Sequence, residues 1–145
     1  MDSVTIGEVR KTILQLVEAW NLYDVESAVS LFAPDCLEED IAVLKPQNGA
    51  ESVRRTMSRY LSAFPGLQLE ILDLLVDGRR AVLLWRMRGV HLGKLMNIPP
   101  TGREVVVEGA SLFVVEAGFI RHTKRIWDLA GLLRALGLLP DLAEA

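Results

Sequence analysis

The sequence predicts an α+β fold in which a curved antiparallel sheet wraps around N-terminal helices. Apolar residues recur at helical spacing up to residue 64, and the period changes to two in the segments between residue 67 and residue 127. No repeat or linker divides the chain, so residues 1–145 are expected to form one domain. A bent sheet around helices encloses a cone, and an apolar cone is a ready binding pocket.

The helical part of the chain contains three predicted segments. Asp24 is a preferred N-cap residue and begins the second of them, which should stop before Pro34. Pro65 and Gly66 end the third. The predicted helices cover residues 6–23, 25–32 and 49–64, and a short helix or coil follows at 129–139.

The predicted strands form two hairpins. Asp77-Gly78 is the turn of the first and Ala117-Gly118 the turn of the second, because both dipeptides favour tight turns. A loop with the run MNIPPTGR separates the hairpins, and a weaker strand precedes the third helix. The predicted strands cover residues 36–44, 67–76, 81–91, 104–115 and 119–127.

Composition excludes several classes of protein. Half of the residues are hydrophobic and 24% are charged, which excludes a disordered chain. The net charge of −3 gives no basic surface for nucleic acid or an anionic membrane. No apolar run approaches the roughly 20 residues of a membrane span, and the N-terminus does not resemble a signal peptide. We therefore expect a cytoplasmic protein.

Motifs for common catalytic and cofactor sites are also missing from the sequence. Cys36 is the single cysteine, so neither an internal disulfide nor a cysteine-based zinc site is expected. His91, His122 and Asp40 do not have the spacing of a metal site. No GxSxG motif or phosphate-binding glycine loop is present, and we expect no cofactor.

A two-residue loop at Ala117-Gly118 fixes a register for the second hairpin, with Glu116 opposite Phe119. In this register no arginine lies on the face toward the helices. A β-bulge would move residues to the other face. The residues expected to face the helices are Val107, Gly109, Ser111, Phe113, Val115, Ile120, His122, Lys124, Ile126 and Asp128.

Two carboxylates are candidate site residues. Asp128 at the mouth of an apolar cone would suit a general base, but the spacing alone favours a cap for the helix beginning at Leu129, and the two roles are compatible. Asp40 ends the run Glu38-Glu39-Asp40, which on spacing alone indicates a solvated edge. If the run is a strand, Glu38 and Asp40 share one face.

Other candidates have both structural and functional interpretations. His91 ends a strand before the loop, where a histidine is more often a hydrogen-bonded anchor than a catalyst. Trp20, Trp85 and Met96 would suit a flat aromatic substrate, although each is also a typical core residue.

Four stretches of the sequence resemble one known family, the SnoaL-like polyketide cyclases of the nuclear-transport-factor-2-like superfamily. The run GVHLGKLMNIPPTGR and the ending WDLAGLLRALG are the most specific parts of the match. The resemblance implies a cone-shaped α+β barrel that forms a homodimer or homotetramer through its sheets. The matching stretches are residues 19–35, 63–85, 88–105 and 126–140.

The resemblance also implies a site. The cyclases of this family close a ring by intramolecular aldol condensation without metal or cofactor, using an aspartate that matches Asp128. Asp40 matches a polar pocket residue, and His91 matches a loop histidine. Where many relatives carry EHW, this chain carries His122-Thr123-Lys124, so Lys124 is expected to pair with Asp128 or to lie near a developing enolate oxygen. Ser111 stands where relatives often have a longer polar residue.

The sequence therefore favours a cofactor-independent enzyme acting on a hydrophobic, carbonyl-bearing small molecule by aldol ring closure or isomerisation. An alternative resembles limonene-epoxide hydrolase, with Asp40 and Asp128 as paired aspartates. A third possibility is a non-catalytic module that binds an apolar ligand.

Overall fold

The computed structural model describes residues 3–43 and 45–141. Leu44, the last residue of the first predicted strand, lies outside the described residues, as do both chain ends. The helices are α1 (Ser3–Asn21), α2 (Val25–Val29), α3 (Ala50–Ala63) and α4 (Leu129–Ala135). The strands are β1 (Phe32–Asp40), β2 (Gln47–Asn48), β3 (Gln68–Asp77), β4 (Arg80–Val90), β5 (Glu104–Glu116) and β6 (Phe119–Trp127).

The strands form one six-stranded sheet with the order β2-β1-β6-β5-β4-β3. The predicted α+β class with helices packed in a curved sheet is confirmed. Pairing is antiparallel except between β1 and β6, which run parallel. This parallel pair was not predicted, and it is possible because a long stretch of chain connects the two strands.

The second helix is shorter than predicted. Asp24 caps it as expected, accepting a hydrogen bond from the Ser27 backbone N–H at 3.1 Å. The helix ends at Val29 because Phe32 already pairs with Ile120 in the sheet. Pro34, two residues further on, lies inside β1 rather than after a helix.

The inner face of the sheet packs on α1 and α3. Ile13, Met57, Phe64 and Ile120 are completely buried in this core. None of the helices in the described ranges is long and apolar enough to cross a membrane.

A β-bulge changes the predicted register of the second hairpin. Glu116 pairs with Phe119 and Val115 with Ile120 as expected, but the register shifts between Val114 and Val115. On the side of the bulge away from the turn, the predicted register is wrong. Arg121 is an extra residue in β6, and it reverses which side chains of that strand face the helices. Phe113 consequently pairs with Thr123, and Ser111 pairs with Arg125 instead of Lys124.

Candidate functional site

A cavity of about 100 Å³ lies between the inner face of the sheet and the helices. Most of its wall is aromatic or aliphatic, as in sites that bind hydrophobic small molecules. The apolar lining residues are Leu16, Val17, Trp20, Phe32, Val53, Phe64, Leu67, Leu69, Leu83, Trp85, Met87, Val107, Phe113 and Leu132. The remaining lining residues, which carry polar side-chain atoms, are Glu38, Thr56, Tyr60, Ser111, Thr123, Arg125 and Trp127.

Three neighbouring strands bring the polar residues together. Arg125 of β6 lies directly beside Asp40 of β1 on one side and Ser111 of β5 on the other. Glu38 of β1 lies beside Thr123 of β6. Because side chains two residues apart share a face, these residues form one polar patch on the sheet side of an otherwise apolar cavity.

Glu38 is a buried acid in this patch. Its side chain lines the cavity, the residue is only 4% exposed, and its Oε1 accepts a hydrogen bond from the Thr56 hydroxyl at 2.5 Å. Burial raises the pKa of Glu38, although the positive charge of Arg125 and the Thr56 hydrogen bond partly oppose that effect. A carboxyl group with a raised pKa in an apolar cavity can both accept and return a proton.

Asp40 lies just outside the cavity lining, and its carboxylate accepts four hydrogen bonds. Its Oδ2 accepts from Arg125 Nη1 at 2.9 Å and from the Tyr60 hydroxyl at 3.0 Å. Its Oδ1 accepts from Trp127 Nε1 at 2.8 Å and from the Ala42 backbone N–H at 2.9 Å. Burial opposes ionisation, but the charge of Arg125 and these hydrogen bonds outweigh it and hold the pKa of Asp40 below its usual value.

The charge of Asp40 also affects its neighbour Tyr60. Burial, together with the negative charge of Asp40, raises the pKa of Tyr60 to about 12. The Tyr60 hydroxyl therefore stays protonated near neutral pH and acts as a donor.

Ser111 continues the polar patch on β5. Its Oγ accepts a hydrogen bond from Trp85 Nε1 at 3.1 Å. This leaves the Ser111 hydroxyl hydrogen to donate into the cavity. The Trp85 indole reaches Ser111 by crossing Gly109, where an added Cβ would lie 2.5 Å from the Trp85 ring and 2.7 Å from the Trp127 Cβ.

We expect Gly109→Ala to destabilise the protein by about 1–3 kcal/mol, because both tryptophans must move to admit the methyl group. Urea unfolding followed by tryptophan fluorescence measures the effect. The matched control is Gly7→Ala in α1, where an added Cβ meets no atom within 4 Å. Equal stability of Gly109→Ala and wild type would show that this close approach is not required.

Asp128 caps a helix, which is one of the two roles predicted for it from the sequence. It is the N-cap of α4, and its Oδ1 accepts a hydrogen bond from the Gly131 backbone N–H at 2.8 Å. The residue is exposed and is not among the residues that line the cavity. The prediction that Asp128 caps the helix is confirmed. The prediction that Asp128 faces the cavity is not, since the residue lies outside the cavity lining.

His122 and Lys124 lie on the outer face of the sheet, contrary to expectation. The β-bulge places them there, and Thr123 and Arg125 face inward in their place. His122 Nε2 lies 2.7 Å from an oxygen of Glu39. The cation on the cavity face is therefore Arg125, not Lys124, and the expectation that no arginine faces the cavity is wrong.

His91 and Met96 lie outside the cavity lining. His91 is fully buried, and its Nδ1 accepts a hydrogen bond from the Thr101 backbone N–H at 3.2 Å. The Thr101 hydroxyl oxygen lies 3.0 Å from the same nitrogen. It thus anchors the loop that follows β4. Met96 lies in that loop and is 38% exposed. Of the predicted residues, Trp20, Trp85 and Ser111 line the cavity and Asp40 supports its wall.

The residues that sequence reasoning missed are Glu38, Thr56, Tyr60, Arg125 and Trp127. Alternation along the acidic run did place Glu38 on the face of Asp40, and the structure confirms this, with both residues buried. Arg125 could be found only by locating the bulge. Within residues 3–43 and 45–141, no group of three or more histidine, cysteine, aspartate or glutamate residues is placed to hold a metal ion.

The sequence profile of the SnoaL-like polyketide cyclases matches residues 10–136. No functionally curated protein matches the chain. Among solved structures, AclR from Streptomyces galilaeus, a proposed hydroxylase, is 27% identical with a TM-score of 0.85, covering 96% of this chain and 91% of AclR. TsrD from Streptomyces laurentii is 28% identical with a TM-score of 0.83, covering 96% of this chain and 99% of TsrD.

IdmH from Streptomyces antibioticus, a proposed polyketide cyclase, is 26% identical with a TM-score of 0.78, covering 89% of this chain and 98% of IdmH. The profile match spans most of the chain, and the solved structures share its architecture over nearly their full length. The chain belongs to the SnoaL-like polyketide cyclase family.

Proposed function

We propose that the protein is a cofactor-independent enzyme that acts on a hydrophobic, carbonyl-bearing small molecule, with Glu38 as the acid/base. The observation that carries the proposal is a buried carboxyl group with a raised pKa that faces an arginine in an apolar cavity. Membership of a cyclase family supports the same class of reaction. The acid/base role expected for Asp128 passes to Glu38, because Glu38 lines the cavity and Asp128 does not.

The reaction begins when the Glu38 carboxylate takes a proton from a carbon beside the substrate carbonyl. The electron pair of the broken C–H bond moves to the carbonyl oxygen and forms an enolate. Arg125 and the Ser111 hydroxyl, side by side on the sheet, donate hydrogen bonds to that oxygen. Their positions are fixed before the substrate binds, so little reorganisation is needed as charge develops.

Two outcomes follow from the enolate. In aldol closure its carbon attacks a second carbonyl of the same molecule, and Glu38 returns the proton to the new alkoxide. In isomerisation Glu38 returns the proton to a different carbon. Either sequence restores Glu38 to its ionised form and needs no other reactant.

A ligand panel tests this proposal. Aromatic polyketides, steroids and terpene epoxides are screened by thermal shift, and each stabilising compound is then incubated with the protein and analysed for product. We expect a carbonyl compound to stabilise the protein and to be converted. Stabilising compounds that are never converted would instead support the non-catalytic binding module.

A specific observation also favours a hydrolase similar to limonene-epoxide hydrolase. Arg125 lies between two carboxylates, 2.9 Å from Asp40 and 3.8 Å from Glu38. The pair expected from the sequence, Asp40 and Asp128, is not brought together, so this alternative would use Glu38 instead. It predicts that a terpene epoxide takes up one oxygen from ¹⁸O-labelled water to give a diol.

We propose that two or four copies associate through the outer face of the sheet. Leu84 and Ile126 flank Ala110 on this face, and Leu112 lies in the next row. Leu84, Leu112 and Ile126 are 38–43% exposed, so neighbouring large apolar side chains are left uncovered on this face. Light scattering should give a mass of at least two chains, and Leu112→Glu should reduce it to one. A monomeric wild type would contradict the proposal.

A further inference from the structure

Arg125 has two carboxylates within reach but contacts only one of them closely. Its Nη1 lies 2.9 Å from Asp40 Oδ2, whereas Nη2 lies 3.8 Å from Glu38 Oε2. The second distance is too long for a hydrogen bond. Strand register explains the difference, because Asp40 is the direct neighbour of Arg125 across the β1–β6 pair, and Glu38 is the neighbour of Thr123.

Asp40 is itself fixed from several directions. Arg125, Tyr60, Trp127 and the Ala42 backbone each donate a hydrogen bond to it, two donors to each oxygen. Tyr60 and Trp127 also pack edge to face, with ring centroids 6.2 Å apart. With four donors already bound and Asp40 behind the cavity wall, its carboxylate has little capacity left for a substrate.

We infer that Asp40 is a positioning residue that holds the Arg125 guanidinium away from Glu38, so that Glu38 remains free to act as the acid/base of the cavity. The inference rests on the function proposed above and replaces the substrate-binding role expected for Asp40 from the sequence. If Arg125 turned to Glu38, the pair would stabilise the ionised carboxylate and weaken it as a base. With its charge balanced by Asp40, Arg125 keeps its remaining N–H groups for a substrate oxygen.

Two further cations, Arg59 and Lys45, lie near Glu38. Arg59 and Lys45 border a small second cavity of about 10 Å³ that Glu38 and Asp40 also line. The charge of Arg59 lowers the pKa of Glu38 less than that of Arg125 does. The titratable or charged groups that face Glu38 or its surroundings are Cys36 and Asp40 from β1, Arg59 and Tyr60 from α3, Lys45 before β2, and Arg125 from β6.

The test is Asp40→Asn, which keeps the shape of the side chain but removes its charge. We expect the pKa of Glu38 to fall by about 1–3 pH units, because the charge of Asp40 no longer raises it and because Arg125 turns to pair with Glu38. The second cause is recognised by Arg125→Met, which should raise the pKa of Glu38 by more in the Asp40→Asn background than in wild type. Carbon-13 NMR of labelled glutamate measures this directly, with Glu38 assigned from the signal missing in Glu38→Gln. If a substrate is known, the acid limb of kcat/KM should move to lower pH by the same amount.

The matched control is Asp35→Asn, the same change on the same strand at an exposed position that pairs with Arg121. It should leave the titration of Glu38 where wild type has it. The double variant Asp40→Asn/Arg125→Met removes both charges, and we expect the pKa of Glu38 to equal or exceed the wild-type value, because the guanidinium is absent. This second expectation remains testable if Asp40→Asn alone does not fold.

An unchanged or raised pKa of Glu38 in Asp40→Asn would overturn the inference, as would an effect of Arg125→Met on that pKa that is no larger in the Asp40→Asn background than in wild type. So would a pKa below the wild-type value in the double variant. Since NMR titration requires no substrate, the inference can be upheld even if no compound is ever converted. Turnover that depends on Glu38 without this pKa change would support the proposed function and overturn the inference about Asp40.

Discussion

Replacing Glu38 with glutamine is expected to reduce turnover by about 10²–10⁴-fold, the usual contribution of a general acid/base. Glutamine has the same shape and its amide oxygen can still accept the hydrogen bond from Thr56, but it cannot take a proton. Ligand binding should therefore persist. Turnover and ligand-induced thermal shift, measured on the same preparation, separate loss of chemistry from loss of binding.

Asp128→Asn is the matched control for this variant. Asparagine is as good an N-cap as aspartate, so α4 should remain capped and stability should change little. Turnover should stay within a few-fold of wild type, because Asp128 does not line the cavity. Loss of turnover in Asp128→Asn combined with full activity in Glu38→Gln would return the acid/base role to Asp128.

Although Glu38→Gln should lose turnover, it should not lose stability at high pH. Since the folded-state pKa of Glu38 is raised above 4.5, its contribution to stability is fully present below pH 4.5 and is lost as pH rises through the folded pKa. Glu38→Gln does not ionise, so at pH 8 it should be at least as stable as wild type. Urea unfolding at pH 4 and pH 8 measures the difference, and a clear destabilisation at pH 8 would contradict it.

Much of the fold could be predicted because local signals agree with tertiary packing. The turn at Ala117-Gly118 defines the second hairpin as predicted, and Pro65-Gly66 ends α3 close to the predicted residue. The first hairpin is also present, but its turn is Gly78-Arg79, one residue later than predicted, because Asp77 still pairs with Arg80. The two-residue strand β2 is too short to produce a pattern. The parallel pairing of β1 with β6 joins distant segments, which periodicity cannot reveal.

The candidate site was harder to predict, because it depends on one bulge. The shift between Val114 and Val115 exchanges Lys124 for Arg125 at the cavity. Nothing in the residues at that point requires a bulge. Glu38 was on the correct face, but an acidic run is usually solvated, and only the packing of α3 against β1 shows that it is buried.

Arg125→Met is expected to cause the largest loss of stability, about 3–5 kcal/mol, because it leaves the buried Asp40 without its cation. Methionine preserves most of the length and packing of the side chain. Adding Asp40→Asn should restore much of that stability, since the uncompensated charge is then removed as well. Urea unfolding of the two single variants and the double variant gives the coupling energy between the residues.

An exposed ion pair between the same two strands provides the comparison. Arg121 lies 3.0 Å from Asp35, and their side chains are 44% and 72% exposed. Arg121→Met should therefore cost less than about 1 kcal/mol. The contrast between the two arginines follows from burial, since water solvates Asp35 when its partner is removed but cannot reach Asp40 as freely. Similar losses of stability in Arg125→Met and Arg121→Met would mean that water solvates Asp40. Asp40 would then not require Arg125 to balance its charge.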